Sequence, residues 1–501
     1  MELFSNLALG FATAGSFANL FFCLIGVLLG TLIGVLPGIG ATATIAMLLP
    51  ITFQLEPVSS LIMLAGIYYG AQYGGSTTAI LINMPGESSS AVTAIDGYQM
   101  ARKGKAGTAL AIAALGSFFA GTVSTFLVAL FAPPLTSIAL QFGAAEYFSL
   151  MVLGLVSSIA LAHGSVVKAL AMVVLGLLLG MVGTDIYTGA PRFTLGITQY
   201  ADGLNFVALA VGVFGIAEIL RNLENERTRE VVRAEVKNLW PTRAEFREMT
   251  PPILRGTAIG SALGILPGGG AILAAFASYT VEKRVSKTPQ EFGRGAIAGV
   301  AGPESANNAG AQTSFIPLLT LGIPANPVMA LMVGAMIIQG IVPGPSVATD
   351  QPALFWGIIA SMWIGNLMLV LLNLPLIGMW VKLLTVPYYY LFPIIMAFCS
   401  IGVYSVNSNA YDLYAVAFFG FMGYMMLKLK CEPAPLLLGF VLGPLMEENL
   451  RRAMILSRGD ATTFFTRPIS LTLLLVTLAV LIIVFLPSIR KKREEVFVEE
   501  D

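Results

Sequence analysis

Two blocks of this 501-residue chain group glycine and proline in the same way. Gly34-Val-Leu-Pro37-Gly38-Ile-Gly40-Ala41 returns as Gly264-Ile-Leu-Pro267-Gly268-Gly269-Gly270-Ala271, with six of eight positions identical. Each block interrupts an apolar run. Proline removes a helical hydrogen bond, so the helix breaks, and the helix that restarts behind it exposes unpaired N–H groups at a positive dipole end. Such an end can bind a carboxylate without a permanent cation in an apolar segment. Pro37, Gly38, Gly40, Gly268, Gly269 and Gly270 are therefore candidate substrate contacts. Glycines of this kind also serve close helix packing alone, but a repeated block favours the ligand site.

Polar residues gather near the breaks. Ser76, Thr77, Thr78, Asn83 and Gly86 belong to the first half, and Asn307, Asn308 and Pro324 to the second. Neutral amides and hydroxyls can serve an anion in low dielectric without burying a charge, so all eight are further substrate candidates. A single Ser or Thr in such a run can equally bond its own helix backbone. Glu87 and Glu304 are acidic residues beside apolar runs and, with Thr320, are candidates for handling a coupling ion. Sodium is a hard cation that would take freed carbonyls and hydroxyls as ligands.

Other chemistries find little support. His163 is the only histidine, so no His-based metal cluster exists, and Cys23, Cys399 and Cys431 are scattered without metal spacing. The glycine blocks follow no strand and lack the acidic residue of a dinucleotide fingerprint. No nucleophile–base set and no phosphate-binding loop motif is present, so no cofactor is called for beyond Na⁺ or H⁺ as coupling ion. The chain reads as a non-enzyme.

The elements that position these residues must lie in a membrane. Hydrophobic residues make up 56% of the chain and charged ones 11%, against about 25% in soluble proteins, and mean hydropathy is +0.82. There are 28 basic and 28 acidic residues, which leaves no excess to attract nucleic acid. No Lys or Arg occurs before Arg102. Basic clusters at Arg102–Lys105, Arg221–Arg255, Lys283–Arg294, Arg451–Arg458 and Arg490–Arg493 are expected on the cytoplasmic side, with the N-terminus outside.

Apolar runs near 16–36, 58–82, 107–131, 146–162, 165–183, 203–220, 253–266, 310–323, 328–342, 353–374, 388–405, 412–427, 434–446 and 469–487 are candidate spans. Several are too short for the roughly 20 residues a crossing needs. The expectation is an all-α integral membrane protein with about twelve transmembrane helices, in two inverted repeats with broken or re-entrant helices. A second, weaker match supports the duplication: Ser76 to Gly86 corresponds to Phe315 to Ala325, both ending in proline. The predicted units are 1–220, a charged cytoplasmic linker 221–252 read as a helix pair, 253–450, and a C-terminal helix and tail 451–501. Capping boxes are expected at Thr242–Glu245 and Thr288–Glu291.

The motifs taken together resemble the large membrane subunit of the tripartite tricarboxylate transporter family, over essentially the whole chain. The resemblance rests on Gly34–Gly40, Tyr73-Gly-Gly-Ser-Thr-Thr78, Asn83-Met-Pro-Gly-Glu87, Gly183–Gly196, Leu266–Ala271, Gly302–Asn308 and Leu321-Gly-Ile-Pro324. It implies a multi-pass symporter of the bacterial inner membrane, coupled to Na⁺ or H⁺, for carboxylates such as citrate. It also implies two partners besides the lipid bilayer, a small membrane subunit and a periplasmic substrate-binding protein. Asp185 and Arg192 are candidates for docking that binding protein, or else form a salt bridge within their loop. A stand-alone anion transporter or channel, and an intramembrane enzyme, are the alternatives.

Overall fold

The computed structural model describes residues 2–36, 40–161, 165–185, 187–224, 239–266, 270–383 and 388–485, and within them the chain is a bundle of helices. Pro37, Gly38, Gly268, Gly269 and His163 lie outside the described residues. The one pair of strands among the described residues is the two-residue ladder of Gly183–Thr184 with Pro191–Arg192. Among the described residues, five helices are long and apolar enough, by length and composition, to cross a membrane unaided: Phe17–Val35, Ser88–Ala139, Phe206–Glu224, Pro352–Asn373 and Ala410–Lys428. The all-α membrane class stands.

Most predicted spans coincide with helices, but 310–323 does not form one. It is split between Ala298–Thr313 and Phe315–Leu321. Pro317 accounts for the split, because its ring opposes the carbonyl four residues earlier, at Thr313. Ala41–Thr52 and Gly270–Val285 are helices that restart behind the two breaks, whereas Glu2–Ala14 and Ala91–Met100 carry no sequence expectation. In the predicted linker, the Thr242–Glu245 box forms as expected and opens one continuous helix, Arg243–Leu263, that runs on into the apolar segment. The Thr288 device opens only a single 3-10 turn, Pro289–Glu291.

The two halves use one packing device twice. Gly26, Gly30 and Gly34 lie on the backbone of Met63, Ile67 and Ala71, so close that a Cβ would strike those carbonyls. Gly256, Gly260 and Gly264 lie in the same way on Gly302, Ala306 and Gly310. Every glycine has shifted by 230 positions and every partner by 239. The second shift also carries Asn83 onto Gly322, and both adopt left-handed backbone that ends their helices, with φ of 55° and 71°. Small residues every fourth position let two helices approach backbone to backbone, which fixes their register.

Side-chain contacts sort the rest of the chain onto two ends. One end joins Lys105 to Glu245 (3.2 Å), Lys103 to the Arg294 carbonyl, Lys428 to Glu224, and Lys168 to the Leu429 carbonyl. The other joins Arg467 to Glu146, Asn205 to Asp412, and Arg192 and Arg451 to Asp185 and Glu447. This corrects the charge reading at one cluster. The Ala434–Leu456 helix starts beside Leu429, and Arg451 stands seventeen residues along it, about 25 Å away. Arg451, Arg452 and Arg458 therefore occupy the end opposite Arg221 and Lys105, where Arg451 is held by Asp185 of another segment and by Glu447 one turn before it on its own helix.

Candidate functional site

The first break leads into the Ala41–Thr52 helix, with Gly40 as its N-cap in extended backbone. Its free end is not open. The Glu87 carboxylate accepts from the Ala41 N–H, and a Cβ on Gly40 would stand 3.3 Å from Glu87 Oε1. A carboxylate is what a helix N-terminus attracts, and here the chain supplies its own. Gly86 makes this approach feasible by packing its Cα against the Gly34 carbonyl and Gly75, where a Cβ would collide.

The second break leads into Gly270–Val285; the shift of 230 brings Gly40 onto Gly270, and the shift of 239 brings Glu87 onto Asn326. Asn326 stands beside Gly270, its Nδ2 3.7 Å from where a Cβ would be. It is neutral. Its Oδ1 caps the Pro327–Ile338 helix at the Met329 N–H (2.9 Å), and its Nδ2 donates to the Tyr68 hydroxyl (3.2 Å). Gly310 packs on the backbone of Gly270 and Ala271. One turn before it on the same helix, Asn307 is fully buried with neither amide atom paired. The two tips thus differ in charge: the first holds a carboxylate, and the second is lined by neutral groups with unused hydrogen-bonding capacity.

Other expected residues gather elsewhere. Ser76 donates to Glu304 (2.6 Å), Thr93 donates to the other carboxylate oxygen, and Asn308 donates to Ser117 (2.7 Å). Thr77 lines a small cavity beside Glu304. Thr78 and Thr320 are buried and bond helix backbone, at Gly75 and Ile316. Pro324 is buried in the turn after Gly322. The Asn83 side chain is exposed, and the residue serves its helix as a left-handed cap. The structure therefore brings Gly40, Gly86 and Glu87 together at one tip, and Ser76, Thr77 and Glu304 together in a second cluster.

Asp185 and Arg192 are engaged within the chain. Arg451 pairs with Asp185 at 2.9 Å, and Arg192 with Glu447 at 2.8 Å, clamping the strand pair to the Ala434–Leu456 helix. Backbone N–H groups of Tyr187 and Thr188, together with Arg451, hold the Asp185 carboxyl below the usual range. The salt-bridge alternative describes their geometry, and the bridge reaches beyond the loop.

Sequence reasoning passed over Asp96. Buried on Ala91–Met100, it accepts at Oδ1 from Gly293 (2.9 Å), Gly295 (2.7 Å) and Ala296 (2.8 Å), and at Oδ2 from the Tyr279 hydroxyl (3.0 Å). It ties the first half to the start of the helix that carries Glu304. Its signal was present: an acid in a chain so poor in charge needs a partner.

Comparison with known proteins follows the same lines. Residues 20–438 match the family model described as the tripartite tricarboxylate transporter TctA family. The chain belongs to that family. Within it, the chain is 70% identical over its full 501 residues to an uncharacterized 52.8 kDa protein of Agrobacterium vitis, from the TAR-I ttuC′ 3′ region, which it covers completely. It is also 70% identical over 242 residues, 48% of its length, to an uncharacterized protein of the TAR-II ttuC′ 3′ region of the same organism, again covering all of that relative. No solved structure matches. The matched range takes in both tips, Asp96 and Glu304, so the family assignment covers the whole candidate site. This TctA-family chain is a multi-pass membrane protein of a transporter family.

Proposed function

We propose that the protein imports carboxylates of the di- and tricarboxylate class by ion symport, with Na⁺ as coupling ion. In this reading it is the large membrane subunit of a tripartite system in a bacterial inner membrane, served by a small membrane subunit and a periplasmic binding protein. The two halves are inverted repeats within about twelve crossings. The end that gathers Lys103, Lys105, Arg221 and Lys428 faces the cytoplasm, as basic residues favour.

The observation that carries this reading is the pair of helix tips. One already holds a carboxylate, that of Glu87, which indicates what the geometry accepts. Its repeat counterpart at Asn326 leaves the second tip neutral, beside the unpaired amide of Asn307. A substrate carboxylate fits the second tip, held by the helix end and neutral amides, as in transporters with discontinuous helices. Asn83 and the polar residues around the first tip complete the contact set.

The test is uptake of a panel of labelled carboxylates into proteoliposomes holding the chain and the small subunit, with binding protein added or withheld. Uptake that needs an inward Na⁺ gradient and the binding protein is expected. Uptake by the chain alone, or without any gradient, would contradict the tripartite symport reading.

A further inference from the structure

Glu304 presents a different problem from Glu87. It is fully buried, with hydroxyls of Ser76 and Thr93 donating to its two oxygens and Ser117 within hydrogen-bonding reach. None of the ion pairs among the described residues includes it. A bare carboxylate taken out of water is costly, and hydroxyl donors alone do not neutralise it. Beside it opens a narrow cavity with room for about one water-sized species, lined on its polar side by Tyr73, Ser76, Thr77, Ser117, Glu304 and Asn373.

Asn373 adds a second, independent sign. It is buried at the end of Pro352–Asn373, and its Nδ2 bonds the Leu369 carbonyl of its own helix (2.9 Å). Its Oδ1 has no hydrogen-bond partner. The cavity therefore collects acceptors: two carboxylate oxygens, an amide oxygen and hydroxyl lone pairs. Tyr73 turns its own O–H away, donating it to Asn366 (2.8 Å). An anion is excluded by Glu304, and an organic cation by the size of the space. One carboxylate balances one positive charge, and oxygen ligands suit a hard ion.

We propose that this cavity is a sodium site formed by Glu304, Asn373, Ser76, Thr77 and Ser117, separate from both helix tips. The inference rests on the reading of the chain as a cation-coupled transporter, and it supplies the place where that cation binds. Glu304 lies six residues, about 9 Å, before Gly310, which packs on the second tip. Ser76 and Thr77 come from the helix equivalent to that of Glu304 in the other half. Sodium bound here fixes the two helices against each other and against Pro352–Asn373, so the ion and the substrate tip share one rigid element.

The experiment uses the purified full-length chain in nanodiscs, with no carboxylate and no partner. Thermal unfolding is followed as NaCl replaces choline chloride at constant ionic strength and pH. A ligand that binds the folded state raises the unfolding midpoint with its concentration, so Na⁺ should raise it and choline should not. Glu304→Gln should abolish the response, and Asn373→Ala should require about tenfold more Na⁺ or above, as expected for a lost ligand. No Na⁺ response in the wild type, or the same Na⁺ dependence in both variants, overturns the site. A midpoint that follows pH and ignores Na⁺ overturns it in favour of a proton at Glu304. Should Glu304→Gln fail to fold, Asn373→Ala decides, because its native amide bonds only its own helix. Na⁺ binding with no gradient-driven carboxylate uptake would leave this site standing and remove the transport reading instead.

Discussion

At the scale of single residues, the chain separates groups that hold the fold from groups left free for a ligand. Asn83 does the first visibly, since its backbone is left-handed, a conformation that costs most residues about 1 kcal/mol or more and glycine nothing. Asn83→Gly therefore keeps the helix end and removes the amide. The prediction is an unchanged unfolding midpoint with reduced carboxylate uptake, whereas unchanged uptake would remove Asn83 from the contact set.

Asp96 is structural in a stronger sense, with three N–H groups on one oxygen. Asp96→Ala takes the acceptor from all three N–H groups and leaves that of Ala296 buried and unpaired, at about 1–3 kcal/mol, and should lower the unfolding midpoint clearly. Asp185 has a pH signature. Its carboxyl is held below the usual range by the Tyr187 and Thr188 amides and Arg451, so its contribution is complete above the unfolded value of about 3.9 and is lost as pH falls through the lower, folded one. The stability difference between wild type and Asp185→Asn should be constant at neutral pH and shrink only below about pH 4.

At the scale of elements, the broken helices matter more than the spanning ones. The sequence shows where they break, because a Pro-Gly block inside an apolar run has few other meanings. It also shows that the break is duplicated, and the glycine registers of Gly26–Gly34 and Gly256–Gly264 repeat that duplication in three dimensions. What occupies each tip was not legible. Glu87 reaches Ala41 across 46 positions, and Asn326 comes to stand beside Gly270, only because the left-handed caps at Asn83 and Gly322 turn the chain back. A linear motif carries no record of that turn. The sodium cavity was illegible for the same reason: Ser76, Glu304 and Asn373 come from three distant helices. The element-scale prediction concerns the neutral tip. Asn326→Asp keeps the N-cap to Met329 and adds a negative charge, so it should leave folding intact and raise KM for carboxylate about tenfold or more.

At the scale of the whole molecule, low charge is an economy of design with a mechanical consequence. Most ion pairs sit at the two ends of the bundle, and the interior carries acids that bond to amides and hydroxyls. A charge count weighs all basic residues alike and assigns every cluster to one side, but Arg451 stands at the end opposite Lys105 and Arg221. Arg451 is neutralised by Glu447 on its own helix and by Asp185 from across the fold, and no local window reveals the second partner. An anion entering such an interior meets helix ends, amides and a co-bound cation, and its affinity should follow that cation.

The most direct test is the KM for carboxylate uptake in proteoliposomes with binding protein and small subunit, measured for wild type and Asn326→Asp under an inward Na⁺ gradient. Carboxylate binding at the second tip predicts gradient-dependent uptake whose KM rises about tenfold or more in the variant while the maximal rate changes little. Equal KM values in the two proteins would place the carboxylate away from the second tip and contradict it.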